Sequence, residues 1–387
     1  MEVGVPKETF PGEARVALTP AAAGRLVSAG HGVRVETGAG AAAGYPDSAY
    51  SDKGVQLVDA ERVWADSNAI LQVRTYGTNP QAGQADLERL GATHVLIGMA
   101  NPLGAPELSQ AIAERGATLF ALELLPRITR AQAMDVLSSM ANLAGYKSVL
   151  LAADSTTKVF PMMMTAAGTI SPARVLVLGV GVAGLQAIAT ARRLGAKVEA
   201  YDIRPEVKEQ VESVGGKFVE LNLEAETSGA GGYAAAQSED FYKRQREALA
   251  EYVRVADVVI TTAAVPGKRA PILLTEQMMQ GMQPGAIVVD LAAETGGNCE
   301  LTRPEEVVEH RGVRILGPTN VPARLAFHAS QFYAKNITTF FEHVTDQDGQ
   351  LSIDTSDEIT AATLVARDGR LVHERVATLH KDAGDGQ

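Results

Sequence analysis

The chain has 387 residues, 46% of them hydrophobic and 21% charged, more than one core of ordinary size holds, so two domains are expected. Thirty-five basic against 46 acidic side chains leave a net charge of -11, which disfavours phosphate backbones and anionic lipid and speaks against nucleic acid as a partner. The single Cys299 cannot form an internal disulfide, and the N-terminus has neither a basic nor an apolar leader. A reducing cytoplasm is the expected compartment. The longest uncharged runs, 159–173 and 175–191, fall short of the roughly 20 apolar residues that span a bilayer, so no direct membrane insertion is expected. Seven histidines show no paired spacing, no HExxH and no CxxC, so a protein-bound metal is not expected either.

Strand and helix patterns alternate along the chain. "EVGVP" is a short apolar run; "TPAAAGRLVSAG" has a Thr19 cap, Pro20 in the first turn and Gly30 as a stop; "GVRVETG" is strand-like again. "NAILQVR", "ATHVLIGMA" and "GATLFALE" continue the theme, which predicts a parallel sheet covered by helices. "SPARVLVLGVGVAGLQAIATARRLGAKVEAYDI" then restarts it, followed by strand candidates "KFVELN", "DVVITTA", "AIVVDLA" and "VRILG". The helical pattern "PARLAFHASQFYAKNITTFFEHV" fits no further strand of this second set and reads as a return to the first domain. The expected class is α/β: two Rossmann-like, doubly wound parallel-sheet domains with a cleft between them. The first takes 1–137 plus 320–387, and the second 138–319.

The chemical signal with most context is Gly179-Val-Gly181-Val-Ala-Gly184. A bare GxGxxG is weak, because a chain with 37 glycines makes such spacings by chance. Here "RVLVLG" before it reads as a buried strand and "LQAIATARRLG" after it as a helix with a glycine stop. "KVEAYD" then gives a second strand ending in Asp202, 18 positions beyond Gly184. The glycines permit a tight turn and bring N–H groups and the positive helix end up to a pyrophosphate. Asp202 is placed to accept from adenosine ribose hydroxyls and to repel a 2′-phosphate, which points to NAD(H) and makes 138–319 the NAD-binding domain. Arg204, two residues on, keeps an NADP(H) reading open. The bland alternative is a glycine turn without a ligand. A second candidate, Gly38-Ala-Gly40, is followed by a segment too short and too interrupted by Pro46 for a Rossmann helix and reads as a structural turn.

"RITRAQAMDVLSS", residues 127–139, supports two readings. Thr129 and Gln132 match a capping box, with Arg127, Asp135 and Ser138 as solvated helix residues. Alternatively, Gln132, Asp135 and Ser138 at i, i+3 and i+6 share one broad side of a helix with Arg127 at its mouth, offering donors and acceptors to a nicotinamide carboxamide that the glycine turn cannot reach.

"RAQAMDVLSSMANLAGYKSV", the dinucleotide unit, "GGYA" and "TTAAVPGKRAPILL" together resemble the soluble NAD(H)-binding domain of proton-translocating nicotinamide nucleotide transhydrogenases. The likeness runs from "VGVPKE" and "ARVALTP" to "FFEHV". It implies direct hydride transfer between NAD(H) in this chain and NADP(H) on a partner component, coupled to proton movement through a membrane-spanning component. It also implies a separate soluble subunit, a homodimer, peripheral on the inner face of the cytoplasmic membrane, with NADH in the cleft. Arg127, Gln132, Asp135 and Ser138 then position the nicotinamide ring and its carboxamide. Gly179, Gly181, Val182 and Gly184 surround the pyrophosphate; Asp202, Ile203 and Arg204 meet the adenosine ribose; Ala264 is a further nucleotide contact. Gly232 and Tyr233 begin a loop, about 226–240, that closes over the nucleotide, with Gln237 where the family pattern has methionine.

Alanine dehydrogenase is the sister family, sharing the opening segment and Arg15. Amine oxidation needs a substrate-site lysine and an acid or base. Arg74 stands at the expected lysine in "ILQVRTYG", "VLIGMANPL" holds no histidine, and Glu294 lies near the expected aspartate. Arginine is too basic to cycle protons at neutral pH, so the amino-acid site reads as dismantled. A non-catalytic NAD-sensing module is the reading from another class, since it too needs the glycine turn, Asp202 and a lid.

Overall fold

The apolar runs become strands at the centre of two sheets. In chain order, a computed structural model describing residues 1–221, 238–265 and 267–384 holds β1 (Glu2–Val5), β2 (Gly32–Glu36), β3 (Gln56–Val58), β4 (Ala69–Arg74), β5 (Val95–Met99), β6 (Thr118–Ala121), β7 (Met163–Thr165) and β8 (Gly168–Ile170). It continues with β9 (Arg174–Leu178), β10 (Lys197–Tyr201), β11 (Lys217–Phe218), β12 (Val258–Thr261), β13 (Ile287–Asp290), β14 (Val307–His310), β15 (Val313–Leu316), β16 (Leu364–Arg367) and β17 (Arg370–Leu371). The chain divides into two compact units, Met1–Met140 with Ala323–Gln387, and Ala141–Pro322.

In the first unit the sheet order is β17-β16-β6-β5-β4-β1-β2-β3. The run from β3 to β6 is parallel throughout and doubly wound about β1 and β4. β4 and β5 are apolar on both faces because helices cover both, so neither shows the alternation of a half-exposed strand. β16 and β17 depart from the parallel expectation: each pairs antiparallel with its neighbour, joined by a turn in which Asp368 and Gly369 both take positive φ. The helix Ala326–His343 packs along this sheet, its Tyr333 hydroxyl donating to the Gln72 carbonyl at 2.8 Å and Phe340 meeting Phe120 edge-on.

The second unit has the order β11-β10-β9-β12-β13-β15-β14, parallel except at the β14–β15 edge, and winds outward from β9 and β12. Its core is Val175, Val177, Val198, Ile260, Ile287 and Val289 on one face of the sheet and Leu176, Leu178, Val259 and Val288 on the other. The helix Val136–Ser155 crosses the helix Val182–Arg193 at Gly145, where a Cβ would stand 2.0 Å from the Ala183 carbonyl oxygen. Only a glycine permits that approach. The uncharged run 159–173 folds in part as the two-stranded hairpin of β7 and β8.

Candidate active site

In the second unit the glycine turn leaves the carboxyl end of β9 beside β12, at the switch point of the sheet where α/β proteins hold their ligands. Gly179 has φ +97, and a Cβ there would meet Thr262 Oγ1 at 2.8 Å and the Ala263 nitrogen at 2.9 Å. A Cβ on Gly184 would stand 2.0 Å from the Gly179 carbonyl oxygen. Both glycines let the turn close upon itself. Gly181 differs, since nothing among the described residues lies within 4 Å of the Cβ it lacks. It is the N-cap of the helix beginning at Val182, and no side chain caps that end. Open space facing uncapped N–H groups and the positive end of a helix is what a pyrophosphate requires, so this turn fits a dinucleotide.

Asp202 follows β10, buried, with its carboxylate already engaged. Oδ2 accepts the Val180 N–H at 2.7 Å and Arg204 Nη2 at 3.0 Å, while Oδ1 accepts the Arg204 backbone N–H and Nε, both at 2.9 Å. A carboxylate has about four acceptor sites, so a ribose hydroxyl reaches Asp202 when the Arg204 guanidinium turns aside. Asp202 raises the pKa of that guanidinium by hydrogen bonding, and the pair neutralises the charge that would draw a 2′-phosphate. Ile203 is half-buried against the cluster around Tyr201 and Val259.

Beyond β12 the segment Thr262–Ala264 is held from below. Thr262 Oγ1 donates to the Gly179 carbonyl at 2.9 Å. The Asn298 amide clamps Ala263, accepting its N–H at 3.0 Å and donating to its carbonyl at 2.8 Å. Fully buried Asp290 in turn accepts from the Asn298 and Cys299 N–H groups and from the Thr302 hydroxyl on Oδ2, and from the Thr261 hydroxyl and the Ala292 N–H on Oδ1. Exposed Ala264 is thus presented next to the glycine turn by a chain of buried polar contacts.

Segment 127–138 of the first unit leaves the carboxyl end of β6. Thr129–Met134 is a 3-10 turn without a side-chain cap, so the Thr129–Gln132 capping box does not form. Asp135 takes that role one turn later: Oδ1 accepts the Ser138 N–H at 2.9 Å and Oδ2 the Ser138 hydroxyl at 2.6 Å, starting the helix at Val136. Gln132, Asp135 and Ser138 therefore sit on a turn, a cap and a first helical turn, not on one helix side. Arg127 and Gln132 are exposed, Asp135 and Ser138 half-buried. Gly232, Tyr233 and Gln237 lie outside the described residues.

The switch point of the first sheet is filled by the chain's own charges. Arg15 Nε and Nη2 donate to the two oxygens of Glu13 at 2.7 and 2.6 Å, and Arg74 Nε donates to Glu13 at 3.2 Å while stacking 4.2 Å over the Phe10 ring. Burial pushes Glu13 up, but the Arg15 hydrogen bonds and charge outweigh it and hold the carboxyl down at about 2. Glu8, beside them, accepts the Val73 and Arg74 N–H groups, yet burial and the negative Glu13 push it up to about 8 from 4.5. Folded Glu8 therefore keeps a proton that the unfolded chain has released, and stability from this group falls as pH rises from about 4.5 to about 8, by at most about 1.4 kcal/mol per pH unit. Urea unfolding at pH 6 and 7 is expected to show a shallower pH dependence in Glu8→Gln than in the wild type; equal slopes would mean that Glu8 is ionised in the fold. Glu294, exposed, accepts the Asn320 N–H and takes no part in this cluster. Gly38 has φ +79 and donates its N–H to Asp47 Oδ1 at 2.9 Å, a structural turn.

Spacing alone gives no sign of Glu8, Glu13, Asp290 or Asn298. Their partners lie up to 66 positions away, with only the position of Asp290 at the end of a buried strand as a cue.

The fold and the glycine turn define a Rossmann-type, NAD-binding class of protein. "Alanine dehydrogenase/PNT, N-terminal domain" matches residues 4–144 and "Alanine dehydrogenase/PNT, C-terminal domain" residues 148–374, and the chain belongs to this family. Within it the chain is a homologue of transhydrogenase alpha subunits and an oxidoreductase. To the first of the two polypeptides named as NAD(P) transhydrogenase subunit alpha in Rhodospirillum rubrum it is 45% identical over 377 residues, covering 96% of this chain and 98% of that one. The solved structure of transhydrogenase from Sinorhizobium meliloti superimposes with a TM-score of 0.85 at 43% identity, covering 96% of this chain and 100% of that one. The alanine dehydrogenase of Halomonas elongata is more distant, 30% identical over 97% of this chain and 96% of its own.

Proposed function

We propose that the chain is the NAD(H)-binding subunit of a proton-translocating transhydrogenase, working with an NADP(H)-binding component and a membrane-spanning proton-channel component. The observation that carries this reading is a dinucleotide turn of good fit in a chain whose other switch point is closed by its own ion pairs. Arg74, locked on Glu13 and Phe10, leaves no lysine there to form or hydrolyse an imine, which disfavours the alanine dehydrogenase alternative. When bound, NADH supplies a hydride with both electrons of its C4–H bond to NADP+ on the partner, a transfer in which no proton changes hands. The chain's own part is to orient and to exclude water. Gly179, Gly181, Val182 and Gly184 surround the pyrophosphate; Asp202, Ile203 and Arg204 take the adenosine ribose and Ala264 a further nucleotide edge. Arg127, Gln132, Asp135 and Ser138 set the nicotinamide ring. Gly232 and Tyr233 are given the closing-loop role from the family resemblance.

The reading includes a homodimer, peripheral on the inner face of the cytoplasmic membrane. The β7–β8 hairpin supports the dimer: Met162 is 61% and Met164 74% exposed, Ile170 is exposed beside them, and an isolated hairpin with an apolar surface is stabilised by a second copy. Among the described residues no helix is long and apolar enough to cross a membrane, so contact with it would pass through the partner component.

The test mixes the chain with an NADP(H)-binding component and follows reduction of a nicotinamide analogue, with sedimentation reporting the oligomer. Transfer is expected from the mixture and not from either component alone, with Arg127→Ala and Gln132→Ala slowing it about tenfold while weakening NADH binding about twofold. No transfer, with alanine oxidised by the chain alone, would establish the dehydrogenase reading. NADH binding with neither reaction would leave a sensor.

A further inference from the structure

The 3-10 turn Thr129–Met134 carries Gln132 and leads into Asp135, yet a single 3-10 turn without a cap holds its shape poorly by itself. Only Ala131 and Met134 are buried in it; Gln132 and Ala133 face outward. Two contacts from the C-terminal segment of the same unit hold it on either side of Gln132.

The first comes from the helix Ala326–His343. Asn336, 5% exposed, donates from Nδ2 to the Ala133 carbonyl at 2.8 Å. Its Oδ1 is buried and has no hydrogen-bond partner among the described residues, a state that costs about 1–3 kcal/mol. Turning the amide over would set its oxygen against the Ala133 oxygen, so the Ala133 carbonyl dictates the orientation. An apolar residue of similar volume would avoid the unpaired acceptor but leave the turn untied. The compensation visible for this half-satisfied amide is the backbone of the segment assigned to the nicotinamide.

The second contact lies at the other end of the turn. Arg130 Nη1 donates to Asp357 Oδ2 at 2.9 Å. Asp357 is itself fixed, its Oδ1 accepting the Ile359 and Thr360 N–H groups at 3.0 and 3.1 Å as the cap of the helix Glu358–Thr363, with His343 Nε2 at 2.9 Å.

We propose that Asn336, aided by Asp357 through Arg130, is a positioning residue for hydride transfer: it aims Gln132 and Asp135 by fixing the backbone between them. This rests on the nicotinamide role proposed above for that segment.

Asn336→Leu removes the donor while keeping the volume, and Arg130→Gln cuts the second tether at an exposed side chain. Three readings are taken on each: affinity for ADP-ribose, which lacks the nicotinamide; the emission of bound NADH, which reports on the ring's surroundings; and the rate of transfer to an NADP+-loaded partner component. Asn336→Leu is expected to bind ADP-ribose within about twofold of the wild type, to shift the bound-NADH emission and to transfer about tenfold more slowly, with Arg130→Gln showing a smaller loss in the same sense. Equal losses on ADP-ribose and NADH, or wild-type transfer and emission in a variant that melts like the wild type, would overturn the proposal. If Asn336→Leu does not fold, Arg130→Gln decides by the same readings. A wild type that transfers nothing would remove the parent reading, and the emission of bound NADH would then decide the positioning role alone.

Discussion

Gly181→Ala is expected to fold like the wild type and to bind NADH about 30-fold more weakly. The missing Cβ points where nothing among the described residues comes within 4 Å, and its φ is negative, so a methyl group meets neither steric nor backbone strain. Its cost to stability is that of replacing a glycine N-cap by alanine, below about 1 kcal/mol. The same methyl group fills the space in front of the uncapped N–H groups of the helix beginning at Val182. Pushing a phosphate back from them forfeits about 2 kcal/mol of charge-assisted hydrogen bonding, which is the 30-fold. Gly184→Val is the contrasting variant. Its Cβ would stand 2.0 Å from the Gly179 carbonyl oxygen, so the turn must open, and it should lose stability and NADH binding together. Fluorescence titration with NADH and urea unfolding on both variants separate the two cases. Affinity within twofold of the wild type in Gly181→Ala would place the pyrophosphate elsewhere.

The contrast between two glycines of one motif marks where sequence pattern stops being informative. That a tight turn joins β9 to a helix, and that Asp202 ends the next strand, follows from apolar runs and glycine spacing, because both are local. Which glycine closes the turn and which leaves room depends on Thr262 and Ala263, some 80 positions away, and spacing carries no such information. The parallel strands of both sheets are visible as apolar runs bounded by turn residues. The antiparallel edges are not. At β16 and β17 an Asp-Gly pair signals a tight hairpin, but the strands are too short and half-exposed to stand out from the helices around them. In segment 127–138 two capping patterns compete, Thr129 with Gln132 and Asp135 with Ser138. Local pattern favours neither. Tertiary contact decides: Asn336 draws the Ala133 carbonyl toward the helix Ala326–His343, the turn tightens to 3-10, and the longer helix starts at Asp135.

Asp290→Ala is expected to destabilise the second unit by about 4 kcal/mol and to weaken NADH binding as a consequence. The carboxylate is fully buried at the end of β13 and accepts five hydrogen bonds, three from backbone N–H groups and two from hydroxyls. Removing it leaves those donors facing a cavity. Each buried, unpaired donor costs about 1–3 kcal/mol, but Thr261 and Thr302 can rotate toward other acceptors, so the sum falls well short of five full penalties. Asp290→Asn keeps the volume and one oxygen but turns an N–H toward donors, and about half the loss is expected. The effect on the ligand runs through Asn298. Two bonds from its amide fix Ala263, Ala263 abuts the Gly179 turn, and Asn298 is itself oriented by the bond from its N–H to Asp290 Oδ2. A loosened Asn298 therefore lets the Thr262–Ala264 segment drift from the glycine turn, and NADH affinity in folded Asp290→Asn should fall about fivefold, or about 1 kcal/mol. Urea unfolding gives the first quantity and NADH titration of the folded fraction the second. A loss under about 1 kcal/mol in Asp290→Ala would mean that water has taken the place of the carboxylate and that the buried chain of bonds from Asp290 to Ala263 holds nothing in position.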